Sequence, residues 1–144
     1  MKQTSPLELG LPVQDLDKMV EFYTTVFSCQ EERRAEIPAE LSKAIGVAEN
    51  GYTNVWMKFP GGEIIKLVRP PEAPAGNATD GYLASRTGVA YITLYCEDIA
   101  AAVDTAEANG AELISERALL EGSVGVKLGF LRDPEGNVFE FVER

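Results

Sequence analysis

The chain has 144 residues, 45% of them apolar, and a net charge of −10, which is the size and composition of one globular domain or two small units sharing a core. No cluster of lysine or arginine interrupts the acidic balance, so a nucleic-acid surface and an anionic membrane are poor partners, and a small molecule is the better expectation. There is no histidine, which excludes a Ser-His-Asp triad, a Cys-His pair and every imidazole metal site within one chain.

The start, MKQTSPLELG, lacks the regions of a signal peptide, and no apolar run approaches the ~20 residues of a membrane helix, so the expected location is cytoplasmic. Residues 7 to 13 place Leu7, Leu9, Leu11 and Val13 on one face at period two, a strand with one apolar side. Asp15 then caps a helix over 16 to 27, with Leu16, Met19, Val20, Tyr23 and Phe27 as its apolar stripe. Residues 30 to 36 are strongly charged, an edge strand or a loop, and Pro38 opens a short helix to Val47. Strands are expected over 53 to 59 and 63 to 68 around Pro60-Gly61-Gly62, and 70 to 81 reads as a linker rich in proline, glycine and small residues.

The order then restarts. A strand over 89 to 96 precedes a helix capped by Asp98 and stopped by Gly110; a strand over 112 to 116 follows, and a hairpin of 124 to 132 with 138 to 143 closes the chain. The loop LLEGSVG (119 to 125) has two leucines expected to be exposed, as a rim flap or a plain connection. Cys29 and Cys96 lie in apolar periodic segments without CxxC spacing and read as buried thiols.

A shift of 83 residues lays Leu11 on Leu94, Asp15 on Asp98 and Val20 on Val103; a shift of 74 lays Pro60 on Pro134, Gly62 on Gly136 and Val68 on Val142. The chain is therefore expected to repeat one βαβββ unit, residues 1–70 and 88–144 with 71–87 as linker. One such unit leaves a sheet face uncovered, and two together can bury it.

LELGLPVQDLDKMVEFYTTVF, VAYITLYCEDIAAAV and above all FLRDPEGNVFEFVE resemble the vicinal oxygen chelate superfamily, which includes glyoxalase I, methylmalonyl-CoA epimerase, extradiol dioxygenases and the bleomycin-resistance proteins. The resemblance implies an α+β fold in which two paired βαβββ units make an open, bowl-like mixed sheet with helices outside, commonly as a homodimer. It further implies that the four positions holding a metal in metal-dependent members fall at Glu8, Lys66, Tyr91 and Glu140. All four lie on the face opposite Leu7, Leu9, Ile65, Leu67, Ile92, Leu94, Phe139 and Phe141.

A protonated lysine has donors and no acceptor, and a neutral tyrosine is a poor ligand, so this quartet is expected to hold no metal cofactor. Two uses remain. Lys66 pairs with Glu8 or Glu140 to neutralise a cavity floor, or Glu8, Lys66, Tyr91 and Glu140 act as catalytic acid, base and hydrogen-bond donor in a metal-free isomerase, epimerase or lyase. Trp56 and Phe130 occupy equivalent repeat positions and are candidates to flank a planar ligand, while Ile64, Val68, Thr93 and Tyr95 share the expected inner face. Trp56 depends on register: a turn pairing Lys58 with Lys66 aims it inward, and a one-residue slip brings Val55 and Met57 there instead. The expected partners are a small organic ligand, hydrophobic or aromatic, and a second copy of the chain.

Overall fold

The computed structural model describes residues 2–76 and 81–144, so positions 77–80 of the expected linker lie outside the described residues. The chain divides into two compact units, Met1–Ala75 and Gly76–Arg144.

The first unit runs β1 (Glu8–Pro12), α1 (Leu16–Phe27), β2 (Gln30–Ile37), α2 (Ala39–Ala44), β3 (Tyr52–Lys58) and β4 (Ile64–Arg69). The second runs β5 (Ile92–Cys96), α3 (Ile99–Ala108), β6 (Glu112–Leu113), β7 (Leu128–Arg132) and β8 (Val138–Glu143), with short 3₁₀ turns at Leu83–Ser85 and Arg117–Glu121. Each makes a four-stranded mixed sheet with one topology, β1-β4-β3-β2 and β5-β8-β7-β6, in which the first and last strands pair in parallel. The doubled βαβββ plan is thus present, and the fold is α+β.

The same local chemistry builds both copies. Asp15 and Asp98 cap α1 and α3, accepting from Lys18 N and Ala101 N at 3.1 and 3.0 Å. In the hairpin turns Gly62 N and Gly136 N donate to the carbonyls of Phe59 and Asp133 at 2.9 and 3.0 Å, and both glycines take positive φ, 100° and 89°. In the second turn the buried Asp133 also accepts from Glu135 N and Asn137 N, both at 2.9 Å, which is the physical content of DPEGN.

One face of each sheet is apolar and packed. In the first unit Val55, Met57, Ile65 and Leu67 are buried with Met19, Phe22 and Tyr23 of α1; in the second, Leu131, Phe139 and Phe141 are buried with Ile99, Val103 and Ala106 of α3. A large apolar side chain so buried contributes roughly 1.5–3 kcal/mol. Phe22 joins the α1 stripe although the sequence pattern passed over it.

Several expectations need correction. Leu7 is 79% exposed, because it precedes β1 and has no strand partner to hold it over the core. The strand expected over 89 to 96 begins at Ile92, leaving Tyr91 just outside it, and that expected from 124 begins at Leu128. Leu120 is buried rather than exposed. It packs against Gly129, where a Cβ would stand 2.7 Å from the end of the Leu120 side chain, so a larger residue in β7 would make that side chain shift. The hairpin pairs Lys58 with Ile64, not Lys66. The difference is two residues, so the faces are conserved: Trp56 stands opposite Lys66, and Val55 and Met57 face the core.

Both cysteines are free; burial pushes the Cys29 thiol up to about 12, while Cys96 is half-buried. No helix among the described residues is long and apolar enough to cross a membrane.

Candidate functional site

With α1 and α3 assigned to the apolar faces, alternation leaves each sheet a second face, called open here because neither helix covers it. In the first unit that face carries Glu8, Lys66, Trp56, Ile64 and Val68. Lys66 lies beside Gly10 of β1, which has no side chain, and its ammonium reaches Glu8, two residues earlier on the same face, at 3.3 Å. Both partners are about one-third exposed (32% and 39%), so the pair is solvent-screened and worth little to stability. On its other side Lys66 faces Trp56, over whose ring the Arg33 guanidinium sits at 4.7 Å. Arg33 pairs with Trp56 across β2 and β3 and was not visible as a site residue in the charged string QEERRAE.

The second unit has the same geometry with different side chains. Thr93 takes the place of Gly10, Glu140 of Lys66, Phe130 of Trp56 and Tyr91 of Glu8. The Thr93 hydroxyl donates to Glu140 Oε2 at 2.6 Å, so Glu140 is held from its own sheet. Tyr91 is not used for that. It packs edge-on against Phe130, ring centroids 5.1 Å apart and planes at 89°. Tyr95 is 57% exposed, with Arg144 lying 3.9 Å over its ring.

The expected candidates therefore fall into two local groups: Glu8, Lys66, Trp56, Ile64 and Val68 on one sheet, and Tyr91, Thr93, Tyr95, Phe130 and Glu140 on the other. In the first, ammonium and carboxylate are already paired; in the second, the carboxylate is held by a hydroxyl. This donor set does not suit a divalent metal. No group of three or more metal-type side chains occurs among the described residues, and an ammonium at Lys66 repels a cation. Aromatic rings stand beside the polar groups, Trp56 by Lys66 and Phe130 by Glu140.

A cavity of about 590 Å³ lies elsewhere, beyond the N-terminal end of α1, lined by residues including Asp15, Arg34, Glu36, Tyr52 and Arg69. Its cations are already engaged: Arg34 with Glu31 and Asp17, and Arg69 with the Gln14 carbonyl at 2.7 Å. Besides Arg33, a second residue of the open face was not among the sequence candidates. Asn54 lies two positions before Trp56, and only the alternation of NVW, once the register is known, places it there.

The family model of the Glyoxalase/Bleomycin resistance protein/Dioxygenase superfamily matches residues 6–141. Among curated proteins, a lactoylglutathione lyase of Arabidopsis thaliana is 29% identical over 132 residues, which is 92% of this chain and 41% of that protein. A putative lactoylglutathione lyase of Brassica oleracea is 26% identical, over 92% of this chain and 42% of its own length. The chain thus spans about two-fifths of the length of these two curated relatives. Among solved structures, a glyoxalase family protein of Bacillus cereus superposes with a TM-score of 0.81 at 22% identity, covering 99% of this chain and 95% of that one. The fosfomycin resistance protein FosX of Listeria monocytogenes, solved with Mn(II) and sulfate, gives 0.64 at 13% identity, over 99% and 94%. At these identities the structures establish a shared fold.

Proposed function

This chain belongs to the Glyoxalase/Bleomycin resistance protein/Dioxygenase superfamily, and on that premise we propose that it binds a small hydrophobic or aromatic organic molecule on the open faces of its sheets without using a metal. The observation that carries this is the Lys66–Glu8 pair at 3.3 Å, which places an ammonium where the family resemblance puts a metal ligand. Trp56 beside Lys66, and Phe130 beside Glu140, supply apolar surface next to polar groups, the usual make-up of a ligand site. We take the protein to act in the cytoplasm as a homodimer; its two free thiols agree with a reducing compartment.

A second reading draws on Glu140. Held by Thr93 at 2.6 Å, this carboxylate is oriented in the manner of a general base, and with Tyr91 as donor it would serve an isomerase, epimerase or lyase acting beside a carbonyl. The names of the curated relatives favour a lactoylglutathione lyase, and the donor set here is the argument against its metal-dependent form.

The test is native mass spectrometry of protein purified without added ligand, with metal analysis of the same sample. The expected result is a metal-free dimer carrying a small organic molecule, lost from a Lys66→Met chain. A stoichiometric first-row metal would overturn the proposal and return the chain to the metal-dependent branch. If the copurified molecule is turned over, abolition of turnover by Glu140→Gln with binding retained would select the enzyme reading.

A further inference from the structure

Asn54 is 3% exposed, and its amide nitrogen Nδ2 has no hydrogen-bond partner among the described residues. It stands in β3 opposite Val68, so alternation puts it on the open face with Trp56 and Lys66. Lys66 is its diagonal cross-strand neighbour, a relation that spans roughly 7–8 Å between residue positions.

An amide donor left unpaired away from water costs free energy that an apolar residue of similar size does not. The second unit displays that apolar alternative. Shifted by 74 residues, Asn54 falls on Leu128, which holds the same register place opposite Val142. The backbone plan accepts leucine there, yet the first unit keeps a buried, unsatisfied donor. Departures of this kind concentrate at functional sites.

Resting on the open-face reading above, we infer that the Asn54 amide fixes a carbonyl oxygen of the ligand, with Lys66 as second donor and Trp56 beside the ligand's apolar body. Glu8 already neutralises Lys66, and the Arg33 guanidinium is turned onto the Trp56 ring, so a second anion gains little at the Asn54 and Lys66 donors. A neutral carbonyl oxygen instead offers two lone pairs to two donors, and an ammonium has hydrogens beyond the one it gives Glu8. The ligand class is therefore an uncharged ketone, aldehyde, ester or amide on an apolar or aromatic body. Because Nδ2 is covered, binding is coupled to movement of side chains around it. Trp56 and Lys66, both half-buried, and Arg33, stacked over Trp56, are the long ones beside it on this face.

Trp56 is the only tryptophan of the chain, so its emission reports this face directly. The experiment titrates the full chain with benzylacetone, an uncharged aryl ketone, and separately with hydrocinnamate, a carboxylate of similar shape. We expect saturable change with the ketone and about tenfold weaker binding of the carboxylate; Asn54→Leu and Asn54→Val should weaken the ketone by about tenfold or more. Asn54→Leu should also melt at a higher temperature than the wild type without ketone, a readout independent of binding. Undiminished ketone binding by Asn54→Leu overturns the inference and leaves the open-face reading standing. Tighter binding of hydrocinnamate than of benzylacetone overturns the carbonyl class. Failure of both probes to alter wild-type Trp56 emission overturns the inference and the open-face reading together.

Discussion

Lys66 and Glu140 occupy the same place in two copies of one backbone plan, each on the last strand of its sheet, and they carry opposite charges. Their neighbours differ in step. Gly10 beside Lys66 leaves room for the ammonium to reach Glu8, whereas Thr93 beside Glu140 supplies a hydroxyl to the carboxylate directly. Further along the same strands Arg69 of the first unit corresponds to Glu143 of the second. Arg69 donates to the Gln14 carbonyl just before α1, while Glu143 accepts from Ile99 N, the first amide of α3. The backbone repeat is thus maintained by caps, turns and apolar faces, and the polar chemistry set on it diverges position by position.

The comparison is broken most severely by emptying equivalent core places. Phe139→Ala and Ile65→Ala remove buried side chains related by the repeat, and urea denaturation is expected to register losses of about 3–5 and 2–5 kcal/mol. A loss under about 1 kcal/mol at Phe139 would contradict the packing described for the second unit.

A milder perturbation sharpens it. Asp15→Ala and Asp98→Ala each remove a cap, at about 0.5–2 kcal/mol. The second should cost less, because Glu143 also accepts from Ile99 N at 3.1 Å and keeps negative charge at the start of α3. Equal or reversed costs in thermal melts would remove Glu143 from this account.

The smallest effect is a pH dependence. The Lys127 ammonium and then the Ile99 amide hold the Glu143 carboxyl below its ordinary value of 4.5. A carboxylate depressed in the folded state stabilises at neutral pH, and that contribution disappears as pH falls below about 4.5 and through the folded value. Glu143→Gln should therefore flatten the acid limb of a stability profile, and Arg69→Gln, at the place where the first unit has no carboxylate, should leave that limb as it is.

The elements easiest to read in the chain were those announced by local chemistry. The bounds of α1, Leu16–Phe27, and of β8, Val138–Glu143, follow from a capping aspartate, a 3.6-residue stripe and a Pro-x-Gly turn, all within a few residues of the element. Strand ends were less legible. Leu7 and the stretch from Val89 to Tyr91 have the strand period but lie beyond the reach of a pairing strand, and only pairing ends a ladder. Leu120 looked exposed because its contact, Gly129, is distant in the chain.

By itself, then, the sequence determined the doubled βαβββ order, the absence of imidazole chemistry and the assignment of Lys66 and Glu140 to one kind of place, because period, caps and turns are short-range and survive repetition. Tertiary structure alone decided which carboxylate Lys66 meets, that Trp56 shares its face, that Thr93 holds Glu140 and that the buried Asn54 amide nitrogen has no hydrogen-bond partner among the described residues. Those are matters of cross-strand register and burial, which depend on residues far apart in the chain meeting at a particular offset.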